Sequence, residues 1–342
     1  MFGVKTFKYF LILLFAAFIG LLSFTLSAYF WIKEMSEPVN SGQKHEVLIE
    51  SGANTRKIAS LLKNKNTIKS ALLFRIYIKF LSVDNRLRPG LYAFSGKETI
   101  NEVIQLLLRG NEKTISVTVP EGVTNKRIAS IMHDSEICSI NDFIEATMNP
   151  SITGRVFSSW EYIPEMEGLL FPDTYYFRKN TPAEVVVERM LRMTKHQIDK
   201  IFTKTLPQGL SQYEGCILAS IVEEEAALDK ERDLIASVFY NRLAKNQKLE
   251  SCATVIYALG GHKSRILYED LKVKSPYNTY LNTGLPPTPI SNFGTSALQA
   301  VANPAKTDYL YFVSDNARGH FFSKTINEHN KNRHLYFKKR KN

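Results

Sequence analysis

From Tyr9 to Ile32 the chain is apolar without a charge, and it does not repeat this over a comparable length. As a helix rising about 1.5 Å per residue the stretch extends roughly 36 Å, enough for a hydrocarbon core about 30 Å thick. Tyr9, Tyr29 and Trp31 stand near its ends, where amphipathic rings favour the interface. A cleaved signal peptide is the alternative, but its apolar region runs only about 7–15 residues before a small-x-small site. "LSA" at 26–28 is a poor version of that site, so the pattern predicts an uncleaved transmembrane helix over 9–32. Lys5 and Lys8 precede it, while Lys33 is soon offset by Glu34 and Glu37. The positive-inside bias places residues 1–8 in the cytoplasm and the rest outside.

The pattern then changes to short alternating runs followed by three- and four-residue spacing, and it does so twice. "VLIESGANTRKIASLLKNKNTIKS" at 47–70 aligns with "VTVPEGVTNKRIASIMHDSEICS" at 117–139, with Gly52 on Gly122 and "RKIAS" on "KRIAS". Each copy predicts a strand, a glycine turn and a helix. A glycine and a five-residue block in register argue for duplication of a small βα unit, too few copies for a solenoid. Between them, "RPGLYAFSGKETINEVIQLLLRG" at 88–110 predicts a turn, a strand and a helix. Residues 45–150 read as an α+β accessory region, and the turn composition of "NPSITG" at 149–154 marks the passage to a second domain over 151–337.

In that domain "CILASIVEEEAALDKERD" (216–233) ends an apolar run with three glutamates. Treated as a helix over 216–228, its apolar side centres about 20° from Ile221; Glu225 falls at about 40°, Glu224 at about −60° and Glu223 at about 200°. Glu223 is then expected in solvent and Glu225 towards the core. A carboxylate on an apolar face is costly unless paired or protonated, which makes it a candidate proton donor near neutral pH. A structural ion pair, to Arg232 or Arg242, is the other reading.

A second concentration of signal is "SPYNTYLNTGLPPTPISNFG" at 275–294, a Pro/Gly/Asn loop with two tyrosines. Structureless loops of about this length are uncommon and often functional. Aromatic faces beside amides and hydroxyls suit a sugar; an ordinary surface loop has the same composition. Hydrophobic content of 44% against 23% charged describes a folded protein. The net charge of +11 admits nucleic acid, anionic lipid or an acidic polymer, but no nucleic-acid motif accompanies it. His262, His320, His329 and His334 do not form a zinc-hydrolase pattern, and there is no P-loop, GxSxG or GxGxxG after a strand. Cys138, Cys216 and Cys252 are few, scattered and odd in number, which predicts free thiols.

Seven blocks in order resemble one family, the endolytic murein transglycosylases (MltG/YceG-like): "EGLLFPDTYYF" (167–177), "LASIVEEEA" (218–226), "ERDLIASVFYNRL" (231–243), "ATVIYALG" (253–260), "SPYNTYLNTGLPP" (275–287), "NPAKTDYLYFV" (303–313) and "GHFFSKTINEHN" (319–330). The resemblance covers nearly everything after the apolar segment. It implies an α+β fold with an N-terminal transmembrane helix, a LysM-like βα accessory region and a mixed α+β lytic transglycosylase domain. The family's catalytic glutamate, the last acidic residue of its "IVEKE" block, falls on Glu225. Three departures stand out: Glu224 where lysine is common, Cys252–Ala253 where Asp-Pro precedes "TVIY", and Thr288 in place of a glycine.

The implied reaction cuts peptidoglycan glycan between N-acetylmuramic acid and N-acetylglucosamine without water, leaving 1,6-anhydro ends and terminating strand elongation. Tyr277, Asn278, Thr279, Tyr280 and the turn Gly284, Leu285, Pro286, Pro287 would line the glycan groove, with Asn241, Thr254 and Tyr257 as weaker candidates. No cofactor or metal is implied, and no nucleic acid. The implied partners are glycan strands, the bacterial inner membrane through one span, and peptidoglycan synthases. The catalytic domain would be periplasmic. Alternatives are a muramidase using water, a non-enzymatic peptidoglycan-binding scaffold, and a basic ectodomain on anionic polymers.

Overall fold

The computed structural model describes residues 44–341 apart from 111–113, 159, 161–162, 164, 262, 264–265, 316 and 318, with scattered positions between 14 and 38. The first part of the expected span, 9–13, lies outside the described residues. No helix among the described residues is long and apolar enough to cross a membrane. The chain divides into two compact units, 1–116 and 117–342, so the expected accessory region is split and 117–150 fall in the second.

The first unit runs β1 (His45–Ile49), α1 (Thr55–Asn64), α2 (Ala71–Phe80), β2 (Gly90–Phe94) and α3 (Ile100–Arg109). β1 and β2 pair antiparallel with Val47 opposite Tyr92. Each helix starts on a side-chain cap: Asn54 accepts from the Lys57 N–H, Ser70 from Leu73, and Thr99 forms a reciprocal capping box with Glu102. Their apolar faces close one core around Ile58, Leu62, Phe74, Ile78, Ile104 and Leu107.

The second unit continues from β3 (Thr114–Thr118), which crosses the division, through α4 (Asn125–Asp134), α5 (Ile140–Thr147), α6 (Pro150–Val156), β4 (Thr174–Arg178) and α7 (Ala183–Ile201). Then come α8 (Gln212–Glu225), α9 (Arg232–Ala244), α10 (Cys252–Ala258), α11 (Thr295–Ala302), β5 (Tyr311–Ser314), β6 (His320–Ser323) and α12 (Ile326–Lys341). β3 pairs with β4, and β5 with β6. Helix α8 packs against α9, α10 and α11. The fold is α+β, with small two-stranded sheets beside helices.

The sequence echo is a structural one. Gly52 and Gly122 both take left-handed backbone, φ 76° and 77°, where a side chain is strained. The caps Asn54 and Thr124 share ψ of 161° and 162°. Both helices end through a residue at positive φ, Asn66 or Glu136, with Thr67 N–H on Leu62 O and Ile137 N–H on Met132 O. A second helix then begins at Ser70 or Ser139. The duplicated element is therefore strand, turn, helix, turn, helix, longer than the match of letters suggested, with one copy beginning each unit's fold.

Phe74 is fully buried in the first core. Phe74→Ala is expected to lose about 3–5 kcal/mol from that unit, read as a lower denaturant midpoint of its transition while the second unit's transition stays in place.

Candidate active site

Helix α8 opens on a capping box, Ser211 with Glu214, and is buried continuously from Gly215 to Glu223. A helix enclosed on all sides has no solvent face, and this overturns one expectation from the helical wheel. Glu223 is not solvated: it is 9% exposed, its Oε1 pairs with Arg232 Nη2 at 2.8 Å, and its Oε2 accepts the Gly294 N–H at 2.9 Å. Arg232, also buried, adds Asp229 through Nε at 3.0 Å, and its Nη1 has no partner among the described residues. Next to this pair, burial and then the charge of Glu223 push the Glu121 carboxyl up.

The helix ends three residues before the expected 228, at Glu225, where Ala226 turns extended. Glu225 is half-buried rather than set in an apolar stripe. Ser251 Oγ donates to its Oε1 at 2.5 Å, and the Ala253 N–H reaches the same oxygen at 3.3 Å. Among the described residues no hydrogen bond reaches Oε2. Neither expected arginine pairs with it, since Arg232 holds Glu223 and Arg242 holds Glu250. Glu224 is exposed.

The proline loop is bound to α8 from below. Ser220 Oγ donates to Ile217 O at 2.7 Å and accepts the Ile290 N–H at 3.0 Å; Ser291 Oγ returns to Ser220 O at 3.2 Å. Within the loop, several expected groove residues face inward instead. Asn278 is fully buried, donating to Leu271 O and Val273 O and accepting the Tyr280 N–H. Thr279 and Thr254, both buried, share a hydrogen bond at 2.9 Å, and Thr279 also accepts the Ser251 N–H at 3.0 Å. These groups staple the loop to the turn that holds Glu225. Asn241 lies apart from them: its Nδ2 donates to Thr307 O and Tyr309 O, carrying the chain towards β5.

The tyrosines behave differently. Tyr280, half-buried, meets Cys252 Sγ through its hydroxyl at 3.2 Å, and the charge of Glu225 acts on both. The rings of Tyr257 and Tyr277 stand 4.8 Å apart at 58°, and Tyr277 Oη bonds Thr288 Oγ1 at 2.8 Å. Thr288, where the family has a glycine, is thus a buried partner of Tyr277. In the turn that follows Tyr280, Gly284 sits at φ 82°, Gly284 and Leu285 are half-buried, Pro286 is buried and Pro287 is exposed.

Residues read only as the opening of the second domain add a further carboxyl. Glu167 Oε1 accepts the N–H of Asn125, first residue of α4, at 2.9 Å and that of Gly168 at 3.2 Å. Burial, opposed by these two N–H groups and aided by Glu165, pushes Glu167 from 4.5 up to about 7. Its charge in turn helps hold the phenols of Tyr257 and Tyr277 protonated, after burial. Gly168 has φ 70°, and a Cβ there would lie 2.3 Å from Pro289 Cβ, so the Glu167 turn meets the proline loop as backbone. Ser251 and Glu167 were not among the expected site residues. The serine in "ESCATVIY" gave no signal beyond its place beside a family departure, and "EGLLFPDTYYF" carries its glutamate in plain view.

A family model described as the YceG-like family matches residues 47–334. A Bacillus subtilis protein named endolytic murein transglycosylase is 36% identical over 325 residues, covering 90% of this chain and 90% of its own length. A Streptococcus pneumoniae protein of the same name is 27% identical over 352 residues, covering 93% of this chain and 63% of that longer protein. A crystal structure of a putative yceG-like protein from Listeria monocytogenes matches with a TM-score of 0.59 at 35% identity, covering 85% of this chain and 99% of that one.

Two outcomes follow for stability. Arg232→Ala leaves the Glu223 charge buried without its cation and is expected to destabilise by about 3–5 kcal/mol; the denaturant midpoint checks it. Glu167 holds a proton in the folded protein that the unfolded chain releases between pH 4.5 and about 7. Bound protons then favour the folded state less as pH rises, so this group's contribution falls across that window, by up to about 3 kcal/mol. Melting curves at pH 5 and pH 7.5 should show a larger drop for the wild type than for Glu167→Gln.

Proposed function

The chain belongs to the YceG-like family, and on that premise we propose that it is an endolytic peptidoglycan transglycosylase, a lyase, with Glu225 as acid and then base. The observation that carries the reading is the setting of Glu225. Two donors fix Oε1 as an acceptor, so the proton of the neutral acid resides on Oε2, which no described side chain occupies. Oε2–H protonates the glycosidic oxygen while the C1–O bond breaks, and positive charge develops at C1. The substrate's own N-acetyl oxygen and nearby dipoles stabilise that centre. The carboxylate then takes the proton of the muramic C6 hydroxyl as O6 bonds to C1. No water is consumed, and Glu225 ends as it began.

Tyr280 beside Cys252, and the Tyr257–Tyr277 pair one helical turn along α10, supply the aromatic faces of the glycan groove. Gly284, Leu285, Pro286 and Pro287 form its rim. Asn278, Thr279 and Thr254 act behind it, setting the backbone that presents Ser251 to Glu225. Residues 45–150 are read as a LysM-like region that binds glycan. The uncharged stretch 9–32 serves as a single-span anchor in the bacterial inner membrane, with residues 1–8 inside and the catalytic unit in the periplasm. Anchoring restricts cutting to glycan near the membrane, where synthases, the proposed partners, extrude new strands. That suits a terminator of elongation.

Glu225→Gln removes the transferable proton and is expected to cut turnover on uncrosslinked glycan strands by about 100-fold or more. Mass spectrometry of the wild-type products should show anhydro-muramic ends, one water lighter than reducing ends. Reducing ends would make the protein a hydrolase, and full activity in Glu225→Gln would remove the assignment.

A further inference from the structure

Two carboxyls in the catalytic unit share one geometry. Glu225 Oε1 is held by Ser251 Oγ and the Ala253 N–H, and Glu167 Oε1 by the N–H groups of Asn125 and Gly168. In both, no described group hydrogen-bonds Oε2. The two are joined by α10: Ala253 touches Glu225, and Tyr257 stands four residues further along, about 6 Å at helical rise, where Glu167 is the charged group that acts on it most. The Glu167 turn is rigid by construction. Asn125 Nδ2 donates to Met166 O at 2.9 Å, and Asn292 Nδ2 to Asn125 Oδ1 at 3.0 Å, while Asn292 Oδ1 accepts the Leu170 N–H at 2.7 Å; both asparagines are buried.

Capping of α4 alone needs only Oε1. From the placement of the other oxygen we propose that Glu167 is a substrate-binding residue of the groove, which donates from Oε2–H to the acetamido carbonyl oxygen of the sugar lying on Tyr257 and Tyr277. The inference rests on the transglycosylase reading. With Oε1 committed to two N–H donors, a proton on the carboxyl must sit on Oε2, which makes that atom a donor. The amide oxygen is the strongest neutral acceptor on an N-acetylated glycan, and its methyl group suits the adjoining aromatic faces. The titratable groups that face Glu167 are Glu165 on its own strand of chain, Tyr257 on α10 and Tyr277 on the proline loop. Both phenols stay protonated, and Glu165 opposes ionisation. Glu167 is therefore neutral below about pH 7 and loses the donor above it.

The test is the pH profile of kcat/KM for the full chain in detergent on uncrosslinked N-acetylated strands, together with the Kd of the same strands and of chemically de-N-acetylated ones. Glu167→Gln keeps an acceptor for the two N–H groups and a donor at the position of Oε2–H. It is expected within about threefold of wild type at pH 6, with the fall near pH 7 abolished or moved up by a unit or more. Glu167→Ala is expected to lose about tenfold at pH 6, chiefly through KM and with a matching rise in Kd, the size of one hydrogen bond, and the loss of binding should vanish on de-N-acetylated strands. If Glu167→Ala does not fold, the glutamine profile decides. A glutamine profile superimposed on wild type, or an alanine loss of binding equal on both kinds of strand, overturns the proposal. Failure of the transglycosylase reading is separate, since it appears as turnover that survives Glu225→Gln.

Discussion

A buried carboxylate at position 223, shared between the Arg232 guanidinium and the Gly294 N–H, holds helix α8 two residues before it ends. That one arrangement joins α8, the start of α9 and the start of α11 at a single point. A charge so enclosed tolerates no drift, because any displacement leaves an ion unpaired in low dielectric. Two residues later the chain leaves the helix, and Glu225 is delivered to Ser251 and the backbone of α10. The two glutamates, two residues apart, thus differ in setting: Glu223 is paired through both oxygens, while only Oε1 of Glu225 is held among the described residues.

Around Glu225 the catalytic unit is organised by internal polar staples. Ser220 binds the proline loop to α8, Thr279 and Thr254 bind it to the Ser251 turn, and Asn292 binds it to the second copy of the duplicated module through Val123 O. Gly122, in that copy's turn, donates its N–H to Asn292 O. In the first copy a Cβ added at Gly52 would meet nothing within 4 Å among the described residues. The same turn thus bonds to the proline loop in one copy and has room for a side chain at its glycine in the other.

The contrast between local and distant contacts explains what the sequence disclosed and what it withheld. The duplication was legible because left-handed glycines and helix caps require particular residue types, and Gly52/Gly122 with Asn54/Thr124 are such positions. Its division between two units was not legible, since what draws 117–150 into the second unit, the β3–β4 pairing, α5 against α7 and the bonds to Met166, Glu167 and Asn292, joins residues far apart in sequence. The wheel misplaced Glu223 because it assumes one wet face, and α8 has none over most of its length. Arg232 and Gly294, which neutralise that charge, are too distant along the chain for any local pattern to supply. In the proline loop the tyrosines were read as groove residues, and they are half-buried with their hydroxyls on Cys252 and Thr288. Asn278 and Thr279 carry the same chemistry as ligand-binding groups and instead face inward. Composition cannot separate a staple from a contact, and only burial does. Family motifs, by contrast, singled out Glu225 directly, and the geometry gives that position an open oxygen.

The central claim is that one open carboxyl oxygen, presented by α8 and held from behind by Ser251, meets the glycosidic oxygen. A crystal structure of the chain with an uncleaved N-acetylated glycan fragment tests it most directly. The account predicts the scissile oxygen within about 3 Å of Glu225 Oε2, with the adjoining sugar over the Tyr257–Tyr277 pair. A fragment bound across the unit with its glycosidic oxygens all out of reach of Glu225 would contradict it.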